Sequence, residues 1–221
     1  MSLTTAFLGF IYSISYTTAA VTLFMLALMP FLASLIAFIF LKEKISKQNF
    51  VSMVVAFIGT LVMIYASAFS GSFFGLIMGF ISSLGFAAFS VALRSKSDIK
   101  KFYILIYGGL FCALFSAFLM IINNQDFYIP IKNVYLSMTH GTLVASGLIL
   151  FSIGSKQLLS GELTMLSLLE VVGGIFWAWL PILGINEVPS INTIIGGAII
   201  CVAIAMNSYR FDKKRLQNLT R

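Results

Sequence analysis

Two ionisable side chains lie deep inside long apolar stretches of the sequence and are the first candidates for chemistry. Glu170 lies in the stretch 163–184, and His140 lies in the stretch 134–152. A charge inside hydrocarbon is costly, so such residues usually have a partner or a use. A carboxyl or an imidazole there can exchange a proton or bind a charged small molecule. We expect the two at different depths and therefore unpaired, and a packing role stays open for each.

Aromatic and hydroxyl side chains extend this candidate set. Tyr12 and Tyr16 are four residues apart and therefore share one face of a helix. Trp177 follows Glu170 by about two turns of helix, although tryptophan near a helix end is also typical of the membrane interface. Ser83 belongs to a stripe of small residues at every fourth position, which first of all indicates close helix packing.

Enzymatic chemistry is disfavoured because the sequence has few reactive groups. It contains one His, two Cys and seven Asp or Glu, and most of these acids fall between the apolar stretches. Catalytic dyads and metal sites need several such residues that converge, and phosphate loops need a glycine-rich turn before a helix. We therefore expect no enzyme, no metal, no cofactor and no ATP-driven process. Cys112 and Cys201 lie in separate apolar stretches, so no disulfide framework is indicated.

The elements that position these side chains are predicted to be membrane-spanning helices. Sixty percent of the residues are hydrophobic, and the mean hydropathy is +1.03, which is more apolar surface than a soluble domain of this size can bury. The first stretch lacks the pattern of a cleaved signal peptide, so we expect it to remain a helix. Apolar stretches predict eight transmembrane helices, at 3–19, 20–41, 50–67, 73–93, 103–122, 134–152, 163–184 and 191–209.

The distribution of positive charge predicts the orientation in the membrane. With eight helices, Lys132 is the only one of the fourteen Lys and Arg residues on its side of the membrane. The positive-inside rule then predicts a multi-pass inner-membrane protein with both termini in the cytoplasm. The net charge of +7 lies in short loops and in the tail rather than in a folded patch. Topology and contact with anionic lipid explain it, so no nucleic-acid partner is expected.

A short motif, Glu-x-x-Ser, occurs twice, as Glu43 to Ser46 and as Glu187 to Ser190. Each copy follows one apolar stretch and precedes another. In the predicted topology the first copy lies on the inner side and the second on the outer side, so the two copies are inverted. Inverted repeats are the building plan of many secondary transporters, whose halves rock around a site near the middle of the bilayer.

The chain resembles EamA-type permeases of the drug/metabolite transporter superfamily over nearly its whole length. The second copy departs from the family's pattern, because Gly174 stands where proline is often found and the stretch from Glu170 to Glu187 is a few residues longer. The matching residues are Pro30, Glu43, Ser46 and Gly59 in the first copy and Glu170, Trp177, Trp179, Glu187, Pro189, Ser190, Gly196 and Gly197 in the second.

The resemblance implies how the helices are organised. Members of the superfamily typically have ten helices in two repeats of five. This all-α membrane protein would then hold the last three helices of the first repeat in residues 1–67. The five helices of the second repeat would occupy 73–209, followed by a basic cytoplasmic tail at 210–221. Such a chain is a partial, 3+5 version of a 5+5 inverted-repeat bundle, without the first two helices.

The sequence therefore predicts a permease or exporter that moves small organic metabolites by alternating access. Its expected partners are a small-molecule substrate and the lipid bilayer, and association into a homo-oligomer stays open. The alternative is a non-transporting membrane subunit, or a truncated fragment of such a permease. Candidates for substrate binding or coupling are Glu170, His140, Tyr12, Tyr16, Trp177 and Ser83.

Overall fold

The structure is a computed structural model, and it describes residues 1–17, 19–65, 72–95, 98–125, 128–173 and 190–219. The regular elements of these residues are α-helices, and residues 169–173 are helical as well. The helices are α1 (Ser2–Tyr16), α2 (Ala19–Leu26), α3 (Met29–Leu41), α4 (Lys47–Ile64), α5 (Phe73–Ser95), α6 (Asp98–Ile122), α7 (Ile131–Gly154), α8 (Ser160–Ser167) and α9 (Ile191–Leu219).

The described residues contain five apolar helical segments long enough to cross a bilayer. They are Val21–Leu41, Phe73–Ser95, Phe102–Ile122, Ile131–Gly154 and Ile191–Tyr209. The apolar helix Lys47–Met63 is shorter than these five. The prediction of an all-helical membrane protein is thus confirmed, whereas the count of eight crossings stays a prediction.

Two antiparallel helix pairs form the frame of the bundle, and glycine lets the backbones approach closely in both. In the α1–α5 pair, a Cβ added to Gly9 would lie 2.8 Å from the Met78 carbonyl oxygen, and one added to Gly85 would lie 2.7 Å from the Ala6 nitrogen. In the α4–α9 pair, a Cβ on Gly59 would lie 2.9 Å from the Gly196 carbonyl oxygen. Helices in a bilayer gain no hydrophobic free energy by leaving the lipid, so their association depends on close packing. Small residues allow this close backbone contact.

The stretch 20–41, predicted as one helix, is interrupted between α2 and α3. Pro30 has no N–H, so the Leu26 carbonyl cannot receive its usual hydrogen bond. The Leu28 N–H donates to the Met25 carbonyl (3.1 Å), three residues back rather than four. The chain therefore turns at Ala27 and Leu28 and resumes as α3. The apolar pattern hides this turn, because every residue around it is apolar.

Helices α6 and α7 lie at the edge of the bundle. Only 6% of the most apolar window of each helix is buried inside the protein. Large apolar side chains such as Phe118 and Leu143 are more than half exposed on them. Such surface is stable against lipid chains and would be unstable against water. Helix α9 continues to Leu219, so residues 210–219, predicted as a tail, are helical.

Candidate functional site

The candidate site is built where two interrupted helices meet. The second interruption lies at Leu168, between α8 and the helical residues 169–173. Its Leu168 N–H donates to the Met165 carbonyl (3.1 Å), and the Val171 N–H donates to the Leu168 carbonyl (3.1 Å). Both bonds span three residues, as in a tight 3₁₀ turn. The helix thereby changes its hydrogen-bond pattern two residues before Glu170.

The two interruptions share one buried cluster. Ala27 and Leu168 are each 1% exposed and belong to the same apolar core, together with Met53 and Met165. Paired interruptions at the centre of a helical bundle free backbone carbonyls inside the protein, where they can bind polar parts of a ligand or a coupling ion. This meeting point is therefore the candidate site of the described residues.

Ser83 is fully buried on α5 and lies against the first interruption. Its hydroxyl donates to the carbonyl of Met25, and it is also 3.1 Å from the Gly79 carbonyl oxygen. The Met25 carbonyl also receives the Leu28 N–H, so it is part of the turn between α2 and α3. Ser83, predicted from a stripe of small residues, is thus in direct contact with the interrupted helix.

A buried pair of hydroxyls continues from this point and was missed by the sequence analysis. The Ser13 and Thr22 hydroxyls lie 3.0 Å apart, and both side chains are fully buried. They join α1 to α2 close to the α5 helix, since a Cβ on Gly79 would lie 2.8 Å from the Ser13 hydroxyl. The four-residue spacing of Gly9 and Ser13 was the available signal, because it marks one small, polar face of α1.

Tyr12 and Tyr16 share one face of α1, as their spacing predicted. Their rings stack with centroids 6.4 Å apart, and both contact Phe74 edge-on, at 6.3 Å from Tyr12 and 5.1 Å from Tyr16. Tyr16 is 52% exposed. The pair therefore lies beside the start of α5 at one end of the bundle, away from the interruptions.

Glu170 and His140 are not brought together. Glu170 lies just after the second interruption and is exposed on the helix surface, beside the buried Val171. His140 is exposed on α7. Within the described part of the chain no ion pair involves either side chain, and their different depths stay a prediction. Trp177 lies outside the described residues.

A polar network at the opposite end from the tyrosines was also missed. Arg94 Nε donates to Glu43 Oε1 at 3.0 Å, and the second carboxylate oxygen of Glu43 accepts the Ser160 N–H at 3.1 Å. Arg94 Nη1 donates to the carbonyls of Ser155 (3.2 Å) and Lys156 (2.7 Å). The network joins the loop after α3, the end of α5 and the connection between α7 and α8. Sequence spacing could not pair Glu43 with a residue so far along the chain.

The serines of the two Glu-x-x-Ser motifs have the same local role, because each accepts a hydrogen bond at the start of the helix that follows. The Ser46 hydroxyl accepts the Asn49 N–H at 3.1 Å and caps α4. The Ser190 hydroxyl accepts the Thr193 N–H at 3.2 Å at the start of α9. A cap satisfies one of the free N–H groups of a first helical turn. Glu162, in the first turn of α8, accepts the Leu159 N–H at 3.2 Å.

The described residues thus form an all-helical membrane bundle in which two helices are interrupted and the two interruptions belong to one buried cluster. Residues 1–65 match the EamA-like transporter family. The chain is 26% identical over 200 residues to the pseudopaline exporter CntI of Pseudomonas aeruginosa strain PAO1, which covers 88% of this chain and 67% of that protein. The same exporter of strain UCBPP-PA14 matches to the same extent.

The fold has a solved counterpart. A protein of known crystal structure superposes with a TM-score of 0.69 and 17% identity, covering 94% of this chain and 74% of that chain. This likeness concerns the fold alone. Together with the family and exporter matches it confirms the resemblance to EamA-type permeases of the drug/metabolite transporter superfamily. The protein is therefore a multi-pass membrane transporter.

Proposed function

We propose that this chain exports small organic metabolites across the inner membrane by alternating access. The observation that carries the proposal is the meeting of the two interruptions, at Ala27 and at Leu168, in one buried cluster. One interruption lies in residues 1–67 and the other in 73–209, which we take as the two inverted halves of the transporter. Interrupted helices in corresponding positions of two halves are the structural mark of a midplane transport site.

The positions of the interruptions support the inverted repeat. Each lies upstream of a Glu-x-x-Ser motif, and Leu168 is three residues further from Glu187 than Ala27 is from Glu43. The extra length of the second copy accounts for that difference. The motif serine of each half also accepts an N–H in the first turn of the helix that follows it, Ser46 at α4 and Ser190 at α9.

The convergence of helix ends supports the proposed topology. The network around Glu43 and Arg94 gathers the end of α5, the end of α7 and the starts of α4 and α8 at one side of the bundle. At the same side, Gln48 of α4 donates to the Met206 carbonyl of α9 at 2.6 Å. The loops that meet here carry most of the positive charge, so we take this side as cytoplasmic, with both termini, in an eight-helix topology.

The exporter matches suggest which substrates to test first. Because the curated relatives export pseudopaline, we propose an organic metabolite of that kind as the cargo. Glu170, which follows the second interruption, is the proposed coupling residue, and Ser83 is the polar side chain at the first interruption. His140, Tyr12, Tyr16 and Trp177 remain candidates for the walls of the pathway.

The test is transport by the purified chain in proteoliposomes. We expect pseudopaline, or a metabolite found by a thermal-shift screen, to move across the membrane when a pH gradient is applied. A ligand that binds the folded state raises its apparent stability, so the screen finds candidates without a transport assay. Empty liposomes are the control. A folded chain that binds and transports none of the metabolites would instead favour the non-transporting subunit.

A further inference from the structure

We propose that Glu43 and Arg94 form a latch that holds the cytoplasmic end of the bundle closed and opens in each transport cycle. They are positioning residues, because they set which side of the candidate site is open without belonging to it. The inference rests on the proposed function in one respect, since it takes residues 1–67 and 73–209 as the halves that move.

Every bond of the latch that Glu43 makes crosses from the first half to the second. One carboxylate oxygen accepts from Arg94 of α5, and the other accepts from the backbone of Ser160 at the start of α8. Arg94 in turn holds the carbonyls of Ser155 and Lys156 after α7. One carboxylate and one guanidinium therefore fasten three segments of the second half to the loop after α3.

The backbone holds Glu43 in place for this contact. Lys42 ends α3 in the left-handed conformation (φ 57°), and the Glu43 N–H donates back to the Ala37 carbonyl at 3.3 Å. This helix end turns the chain sharply and directs Glu43 toward α8. The carboxylate also lies at the N-terminus of α8, where the helix dipole favours negative charge.

The burial of the pair suits a contact that must break and re-form. The Glu43 side chain is 14% exposed and the Arg94 side chain is 27% exposed. Water can therefore reach both charges as they separate, which avoids the large penalty of leaving a fully buried charge unpaired. Where backbone packs against backbone, as at Gly59 and Gly196, water cannot replace the lost contact in this way.

Beneath the latch the two interrupted helices are in direct contact. Ser34 of α3 lies against Gly161 of α8. Thr164, one turn after Ser160 on α8, is fully buried, and among the described residues its hydroxyl bonds only to carbonyls of its own helix. A cysteine at position 164 would therefore report whether the cytoplasmic end is open, with little change to contacts between helices.

The experiment measures how fast a membrane-impermeant maleimide labels this cysteine from the cytoplasmic face of inside-out vesicles. The parent carries Thr164→Cys with Cys112→Ala and Cys201→Ala. We expect slow labelling in the parent and a rate about tenfold higher after Glu43→Gln, which corresponds to about 1.4 kcal/mol in the opening equilibrium. Arg94→Lys keeps the positive charge but cannot reproduce the three bonds of the guanidinium, so it should also speed labelling, by less than Glu43→Gln does.

The matched control is Gln48→Ala, which also removes one polar bond across the two halves at the same end, but between α4 and α9. It is expected to leave the labelling rate unchanged. Raising the salt to about 1 M should speed labelling of the parent, because salt screens a partly exposed pair. The same salt should not change the rate in Glu43→Gln.

Equal rates in the parent and Glu43→Gln would overturn the latch, and so would an equal increase in Gln48→Ala. If Glu43→Gln fails to fold, a salt-independent rate in the parent overturns it on its own. Labelling needs no substrate, so the two proposals fail separately. A latch that responds as expected in a chain without transport would leave the latch standing and remove the proposed function.

Discussion

The α4–α9 contact and the α3–α8 contact both join the two proposed halves, but they consist of different kinds of interaction. At the first, the backbones of Gly59 and Gly196 touch directly. At the second, Ser34 packs against Gly161, and the Glu43 carboxylate after α3 accepts the Ser160 N–H at the start of α8. Water cannot replace the packing of one backbone against another. It can replace the hydrogen bonds of a partly exposed polar pair. If the proposed latch opens during transport, α4 and α9 are expected to stay together while α3 and α8 separate.

The largest expected effect comes from breaking the α4–α9 contact. Gly59→Leu would place a side chain where the Gly196 carbonyl oxygen is only 2.9 Å from the first added carbon. Because backbone must shift to admit it, we expect a loss of at least about 3 kcal/mol of unfolding free energy. The measurement is unfolding of the purified protein by SDS titration in detergent micelles.

Its control is Gly141→Leu on α7, where an added Cβ meets no atom of the described residues within 4 Å. This variant should unfold at the same SDS concentration as the parent. Equal losses in the two variants would show that helix propensity, rather than the α4–α9 contact, explains the result.

A smaller effect is expected from the capping serines, which test whether the two halves are equivalent. Ser46→Ala and Ser190→Ala each remove the acceptor of one N–H in a first helical turn. We expect each to cost about 1 kcal/mol. Costs that differ by more than twofold would argue against equivalent roles in the repeat, and SDS titration measures both.

A similar or slightly smaller loss is expected at the first interruption. Ser83→Ala removes the hydroxyl that donates to the Met25 carbonyl, which should cost about 1 kcal/mol. Ser15→Ala is the matched control, because that hydroxyl bonds to the Ile11 carbonyl of its own helix at an exposed position. If both changes lower the free energy of unfolding equally, the bond from Ser83 to the interrupted helix stabilises the protein no more than a bond within one exposed helix.

The smallest effect on stability and the sharpest on function are expected at Glu170. Glu170→Gln keeps the size and the hydrogen-bonding capacity of the side chain and removes its titration. The variant should fold as the parent does and lose the pH dependence of transport. Flux in proteoliposomes across a pH gradient, parent beside variant, measures it. Equal and equally pH-sensitive flux would exclude Glu170 from coupling and direct attention to His140, Tyr12 and Tyr16.

Local and periodic features were predictable from the sequence. Apolar length predicted helical stretches, since a bilayer demands about twenty apolar residues per crossing. The spacing of Tyr12 and Tyr16 predicted their shared face. The asymmetry of positive charge and the paired motifs led to the permease resemblance. All of these depend on residues close together in the chain or on simple composition.

The tertiary structure alone decided which distant residues meet. Pro30 marks a break in the apolar stretch, but nothing local shows that Ala27 belongs to the same buried cluster as Leu168. Glu43 follows α3 and Arg94 lies in the last turn of α5, so only the convergence of helix ends pairs them. Helices that are each stable in the bilayer can associate in many ways, and close packing and hydrogen bonds select one. The site and its latch are products of that selection, and no local pattern encodes them.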